Sequence, residues 1–198
     1  MIRILDKQIA DKIAAGEVIE RPVSIIKELV ENSIDAGADS IVVEIKKGGK
    51  SYIRVTDNGC GIARDEAEKA FLRHATSKIA TVGDLEAIET LGFRGEALAS
   101  VCAVTRTELL TKIPEDKTGA RLIIHGGEII SNMATGCPDG TTIIITDLFY
   151  NTPARMKFLK KDSTEASYIT DIVERLVMAN PHISVRYIVD EKEKLFVS

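Results

Sequence analysis

The chain has 198 residues, 44% of them hydrophobic, and 26 Lys and Arg against 30 Asp and Glu give a net charge of −4. That length suits one substantial domain rather than two, no apolar run approaches the ~20 residues that cross a bilayer, and the acidic balance argues against a protein devoted to non-specific nucleic-acid binding, a local basic patch aside. Cys60, Cys102 and Cys137 are odd in number and widely spaced, so they suggest neither a disulfide framework nor a CxxC metal site, and Met1 to Lys7 lacks a signal-peptide pattern, which leaves the cytoplasm as the expected compartment.

Residues 7–15 read as a short amphipathic helix ending near Gly16. The next helix starts with Pro22 in its first turn and runs to about Ala36, where Gly37 stops it. Val23, Ile26, Val30 and Ile34 form its apolar stripe. At about 100° per residue, Glu28, Asn32 and Asp35 stack on the opposite side, with Glu31 at the edge. A solvated face usually places Lys or Arg four residues after its acids, whereas here Asn and Asp stand there. Residues 40–46 and 51–56 read as strands joined by Gly48-Gly49. The second strand leaves through Asp57-Asn58-Gly59-Cys60-Gly61-Ile62. A carboxylate and an amide on a helix, with a carboxylate at a strand end beside glycines, point to a metal–nucleotide site.

Residues 65–72 read as helical, and 73–94 as a long, weakly periodic loop of the kind that forms functional lids. A helix from Gly95 to about Cys102 follows, then β-rich segments near 104–112, 119–126, 128–134 and 141–147. Asp162 or Ser163 is the expected cap of a helix reaching Ala179, closed by Asn180-Pro181. Residues 184–190 and 194–198 read as a final hairpin. Two clusters of helices among hairpin-connected strands predict an α+β, two-layer sandwich, with helices on one face of a mixed, mostly antiparallel sheet.

Two nucleotide motifs fail. Gly48-Gly49-Lys50-Ser51 ends like a P-loop, but residue 44 is Glu where the first glycine is required, and the segment joins two strands. Gly59-Cys60-Gly61 begins a dinucleotide fingerprint whose last position is Arg64. Two other segments survive. Leu91-Gly92-Phe93-Arg94-Gly95-Glu96-Ala97-Leu98 opens a helix, where glycines and free N–H groups suit an anion, although a loop needing glycine for φ > 0 reads the same way. Asp139-Gly140-Thr141-Thr142-Ile143 enters a strand and also reads as an ordinary turn.

In this order and spacing, the segments 28–35, 57–62, 92–98 and 140–142 resemble the four motifs of the GHKL ATPases, with their Bergerat-type nucleotide site. Ile13 to Pro22, Arg73 to Ile79, Gly92 to Leu98 and Asn151 to Arg155 are similar to the MutL family of mismatch-repair proteins in particular. The resemblance covers essentially the whole chain. It implies that 1–198 is one GHKL ATPase domain, whose following transducer and C-terminal dimerisation domains are absent. It implies Glu28 as the general base for the attacking water, Asn32 as a Mg²⁺ ligand, and Asp57 as acceptor for the adenine amino group. Gly61, with Ile62 beside it, would let the purine lie against the backbone, and Thr142 would reach the same base. Ser77 and Lys78 would sit on the lid. Gly92 and the amides from Phe93 through Arg94, Gly95, Glu96 and Ala97 to Leu98 would hold the phosphates, with Lys78 and Arg94 as cations. The implied cofactors are ATP and Mg²⁺. The implied partners are a second copy in an ATP-dependent dimer, with residues 1–22 packed across it, a MutS-like mismatch sensor, a downstream endonuclease or helicase, and DNA; no membrane is implied. The competing readings are another GHKL ATPase, such as a type II topoisomerase subunit, and a nucleotide-binding module without turnover. The MutL-specific stretches oppose the first and Glu28 opposes the second.

Arg155, Lys157, Lys160 and Lys161 form a small basic cluster that reads as a solvated face or as a contact to a phosphate backbone. His74, His125 and His182 are too scattered for a metal site.

Overall fold

The computed structural model describes residues 19–72, Ala75 and 97–198. In chain order these form α1 (Pro22–Asp35), β1 (Ser40–Lys46), β2 (Tyr52–Asp57), α2 (Ala97–Ala103), β3 (Arg106–Lys112), β4 (Gly119–His125), β5 (Glu128–Thr135), β6 (Gly140–Thr146), α3 (Pro153–Met156), α4 (Asp162–Ala179), β7 (Ser184–Val189) and β8 (Lys192–Val197). The expected helix over 7–15 and the lid over 73–94 lie outside the described residues, Ala75 excepted.

The strands form one eight-stranded sheet in the order β5-β4-β3-β6-β2-β1-β7-β8. All described pairings are antiparallel except β1 with β7. Alternation along the strands decides where the core lies. Ile41, Val43 and Ile45 of β1, Ile53 and Val55 of β2, Leu109 of β3 and Ile143 and Ile145 of β6 are all buried. They meet Ile25, Ile26, Leu29 and Val30 of α1, Val101 of α2, and Ile169 and Val173 of α4 in one cluster. On the other face, directly opposed residues pair by charge: Arg54 meets Glu44 at 2.7 Å. The helices therefore cover one face, as the sequence predicts for a two-layer sandwich.

Three local expectations change. Residues 65–72 are not an α-helix but turns followed by a 3-10 turn over Lys69–Phe71. The N–H groups of Glu66, Lys69, Phe71 and Leu72 bond three residues back, and Ala67 alone in the segment is fully buried, so little packing rewards a longer helix. α4 begins at Asp162, but neither Asp162 nor Ser163 caps it. Lys161 is the cap position, and Glu165 reaches back to accept the Lys160 N–H at 2.8 Å. The short helix α3 is additional to those expected from the sequence.

Candidate functional site

β2 ends with a carboxylate in a core-facing position. Ile53, Val55 and Asp57 alternate inward, and Asp57 is only 9% exposed. A buried charge is costly unless hydrogen bonds satisfy it. Three donors do so: the Gly59 N–H (2.9 Å) and the Thr141 N–H (3.2 Å) both reach Oδ1, and the Ser33 hydroxyl reaches Oδ2 at 2.8 Å. A carboxylate has about four acceptor directions, so one remains, on Oδ2. Ser33 also lies 3.1 Å from the Leu29 carbonyl, but it has one proton, and a charged acceptor holds that proton more strongly.

The turn after Asp57 is fixed from three sides. The Cys60 N–H donates to the Ala36 carbonyl at the end of α1 (2.9 Å). The Asn58 side chain accepts the N–H groups of Asp39 and Ser40 and donates to the Asp39 carboxylate. The Ile62 N–H donates to the Thr111 hydroxyl (2.9 Å). Gly61 stands at φ +70°, and a Cβ there would strike the Lys112 carbonyl. Gly140 stands at φ +100°, where a Cβ would strike the Asp57 carbonyl. Both positions need glycine for conformation and for space. The product is a turn packed closely on β3 and β6, with one acceptor direction of Asp57 left unused. That direction suits an N–H donor.

Glu28, Asn32 and Asp35 share the part-buried side of α1, and the Ala36–Cys60 bond brings that helix's end to the Asp57 turn. Glu31, at the edge, is buried; burial raises its carboxyl above the ordinary value, Lys27 at 3.4 Å opposes this, and Glu28 and Asp35 add to the rise. Among the described residues no group of three or more His, Cys, Asp or Glu could hold a metal. A cation here would need oxygen ligands from elsewhere, with Asn32 able to add one. Ala97 and Leu98 open α2, and Leu98 packs on the core. Ser77, Lys78, Gly92, Phe93, Arg94, Gly95 and Glu96 lie outside the described residues.

Thr142 does not face Asp57. Residues 141, 143 and 145 take the core side of β6, so Thr142 turns to the other face, where its hydroxyl donates to Thr56 (3.1 Å). Thr141 is the threonine on the Asp57 side. Sequence reasoning missed Ser33, although its spacing puts a polar residue on the apolar stripe of Ile26 and Val30, which is the signal that would have found it. Thr111, fully buried on β3, was missed as well.

A family described as histidine kinase-, DNA gyrase B-, and HSP90-like ATPase matches residues 20–133. The DNA mismatch repair protein MutL of Agathobacter rectalis is 57% identical over 197 residues, which are 100% of this chain and 30% of that protein. MutL of Caldanaerobacter subterraneus subsp. tengcongensis is 54% identical over 100% of this chain and 33% of its own length. The chain thus spans about a third of these relatives. The Aquifex aeolicus MutL ATPase domain complexed with ADP superposes with a TM-score of 0.77 at 34% identity, covering 91% of this chain and 65% of that one. The chain belongs to the histidine kinase-, DNA gyrase B- and HSP90-like ATPase family, and within it its similarity is to the ATPase region of MutL.

Proposed function

We propose that this chain binds and hydrolyses ATP, with Mg²⁺, as the nucleotide-dependent module of a MutL-type DNA mismatch repair protein. Asp57 is the observation that carries the reading. Its one remaining acceptor direction matches the 6-amino N–H of adenine, whereas guanine has a carbonyl there and would set acceptor against acceptor. Gly61 and Ile62 give the purine a backbone surface, and Thr141 rather than Thr142 is the hydroxyl on the base side. Glu28, on the part-buried side of α1, orients and deprotonates the attacking water. Asn32 offers an amide oxygen, and Mg²⁺, a hard ion that keeps several waters and takes phosphate oxygens, does not require a cage of carboxylates. When bound, the ion neutralises charge on the phosphates.

Phosphate contacts fall to Gly92 and the stretch Phe93 to Leu98, with Ser77, Lys78 and Arg94 on the segment before it. Nucleotide state would control dimerisation through residues 1–22 and couple mismatch recognition to strand cleavage, with a MutS-like sensor, an endonuclease or helicase and DNA as partners of the whole protein. The remaining length of the relatives accommodates transducer and dimerisation domains. We place the protein in the bacterial cytoplasm, on the nucleoid during repair; among the described residues no helix is long and apolar enough to cross a membrane.

Calorimetry and steady-state turnover on the native chain and on Glu28→Ala test the assignment. Both should bind ATP with affinities within about threefold, with GTP weaker, while turnover falls in the variant by about 10²-fold or more. Undiminished hydrolysis by Glu28→Ala would remove Glu28 from the role of base.

A further inference from the structure

Thr111 occupies a position that strand alternation reserves for the core: Thr107, Leu109 and Thr111 of β3 point inward, and Thr111 is 0% exposed. A hydroxyl at such a site is a burden on folding unless it is fully used. Here it is used from both sides. It accepts the Ile62 N–H at 2.9 Å and has two acceptors for its proton, the Gly140 carbonyl and the Thr141 hydroxyl, each at 3.1 Å. Ile62 belongs to the turn that follows Asp57. Gly140 abuts the Asp57 carbonyl, and the Thr141 N–H holds Asp57 Oδ1. One side chain thus joins three segments around Asp57: the glycine turn, the start of β6, and β3 itself.

We propose that Thr111 is the positioning residue for base recognition, its hydroxyl holding Ile62 and Gly140–Thr141 in the spacing that aims Asp57 Oδ2 at the amino group of the purine. The proposal rests on the reading of Asp57 as the base acceptor. Thr111→Val keeps the shape and deletes the hydroxyl. The Ile62 N–H and the Gly140 carbonyl then lose their shared partner, the turn and β6 are free to move apart, and Thr141 no longer presses its N–H on Oδ1. What is lost is aim rather than general affinity, so phosphate binding should be spared.

The test compares ADP with purine riboside 5′-diphosphate, which lacks only the 6-amino group, by calorimetry on the 198-residue chain. The native chain should favour ADP by about tenfold or more, the worth of one hydrogen bond to a charged group. In Thr111→Val that preference should shrink to within about threefold, while affinity for the purine diphosphate stays near its native value, and Thr111→Ser should restore the preference. A merely structural role would weaken both ligands equally and leave their ratio intact, which overturns the proposal, as does lost preference in Thr111→Ser. Should Thr111→Val fail to fold, Thr111→Cys, of similar size but with a weak hydrogen-bonding group, carries the same comparison: a reduced ratio supports the proposal and a native ratio overturns it. Equal affinities in the native chain would overturn the reading of Asp57 itself, an outcome distinct from failure at Thr111.

Discussion

Two backbone N–H groups converge on Oδ1 of Asp57, and this decides what an amide would do in its place. In Asp57→Asn the oxygen must stay with those donors, so the nitrogen takes the Oδ2 position. There one amide proton meets the Ser33 hydroxyl, which turns its own proton to the Leu29 carbonyl 3.1 Å away, and the fold remains satisfied. The other amide proton faces the ligand, where an acceptor stood before. Asp57→Asn should therefore unfold at nearly the native temperature yet bind adenine nucleotides at least about tenfold more weakly; native affinity for ADP in a calorimeter would refute this orientation. Glu31 gives a pH dependence of definite sign. Burial raises its carboxyl above the ordinary 4.5, so folding favours the protonated form. Its contribution is full below that ordinary value and is lost as pH rises through the higher, folded-state value. Glu31→Gln removes the dependence. Relative to the native chain, it should gain stability between about pH 4 and pH 7, measured by urea unfolding at both; a constant difference would count against the sign.

At the scale of elements, much was legible in the sequence and the failures have physical causes. α1 and the strands followed from periodicity and from Gly and Pro at their ends, and Asp57 stood out because a carboxylate precedes glycines at a strand's end. Thr142, which the resemblance implies as a base contact, pairs with Thr56 on the face away from Asp57, and the run Ile143, Ile144 and Ile145, all apolar, hides that parity in the sequence. Ser33 and Thr111 were overlooked because a lone hydroxyl among core residues acquires meaning only from partners distant in sequence, Asp57 and Ile62. The lid residues fall outside the described part of the chain. The junction of β2 with β6 is the element most exposed to a test. Gly140→Ala must hold a side chain at positive φ, at a cost of about 1–3 kcal/mol, and also displace the Asp57 carbonyl. It should lower the unfolding temperature and nucleotide affinity together, whereas Gly136→Ala, with nothing within 4 Å of its Cβ, should do neither. Scanning calorimetry with and without ADP distinguishes the two; equal behaviour would deny the junction its tight fit.

For the molecule as a whole, the measurable question is how much of the ATPase lies within these 198 residues. The relatives are about three times as long, and we propose that the length beyond these residues supplies a further cation near the γ-phosphate. Phosphoryl transfer depends on positioning and on cations at the developing charge, and loss of one such group costs about 10²-fold or more. This chain alone should therefore hydrolyse ATP slowly and remain monomeric, while the longer protein should turn over faster and dimerise with a non-hydrolysable analogue. Steady-state assays and sedimentation on both lengths decide it, and equal rates would mean that the site is complete without that further cation.

The parallel pairing of β1 with β7 bears on the order in which the molecule can form. Asp39, whose N–H and carboxylate hold Asn58 in the turn after Asp57, gives its carbonyl to the Ser184 N–H at 2.8 Å, and Ser40 lies beside Ser184 in register. Closing a contact over so long a stretch of chain is entropically slow. During synthesis, residues up to 183 can assemble the hairpins and α1, but β1 remains an open edge and the turn after Asp57 keeps a loose anchor. The segment that anchors Asn58 is thus completed by a strand far along the chain, and the Asp39 carbonyl gains its partner only once residue 184 is in place.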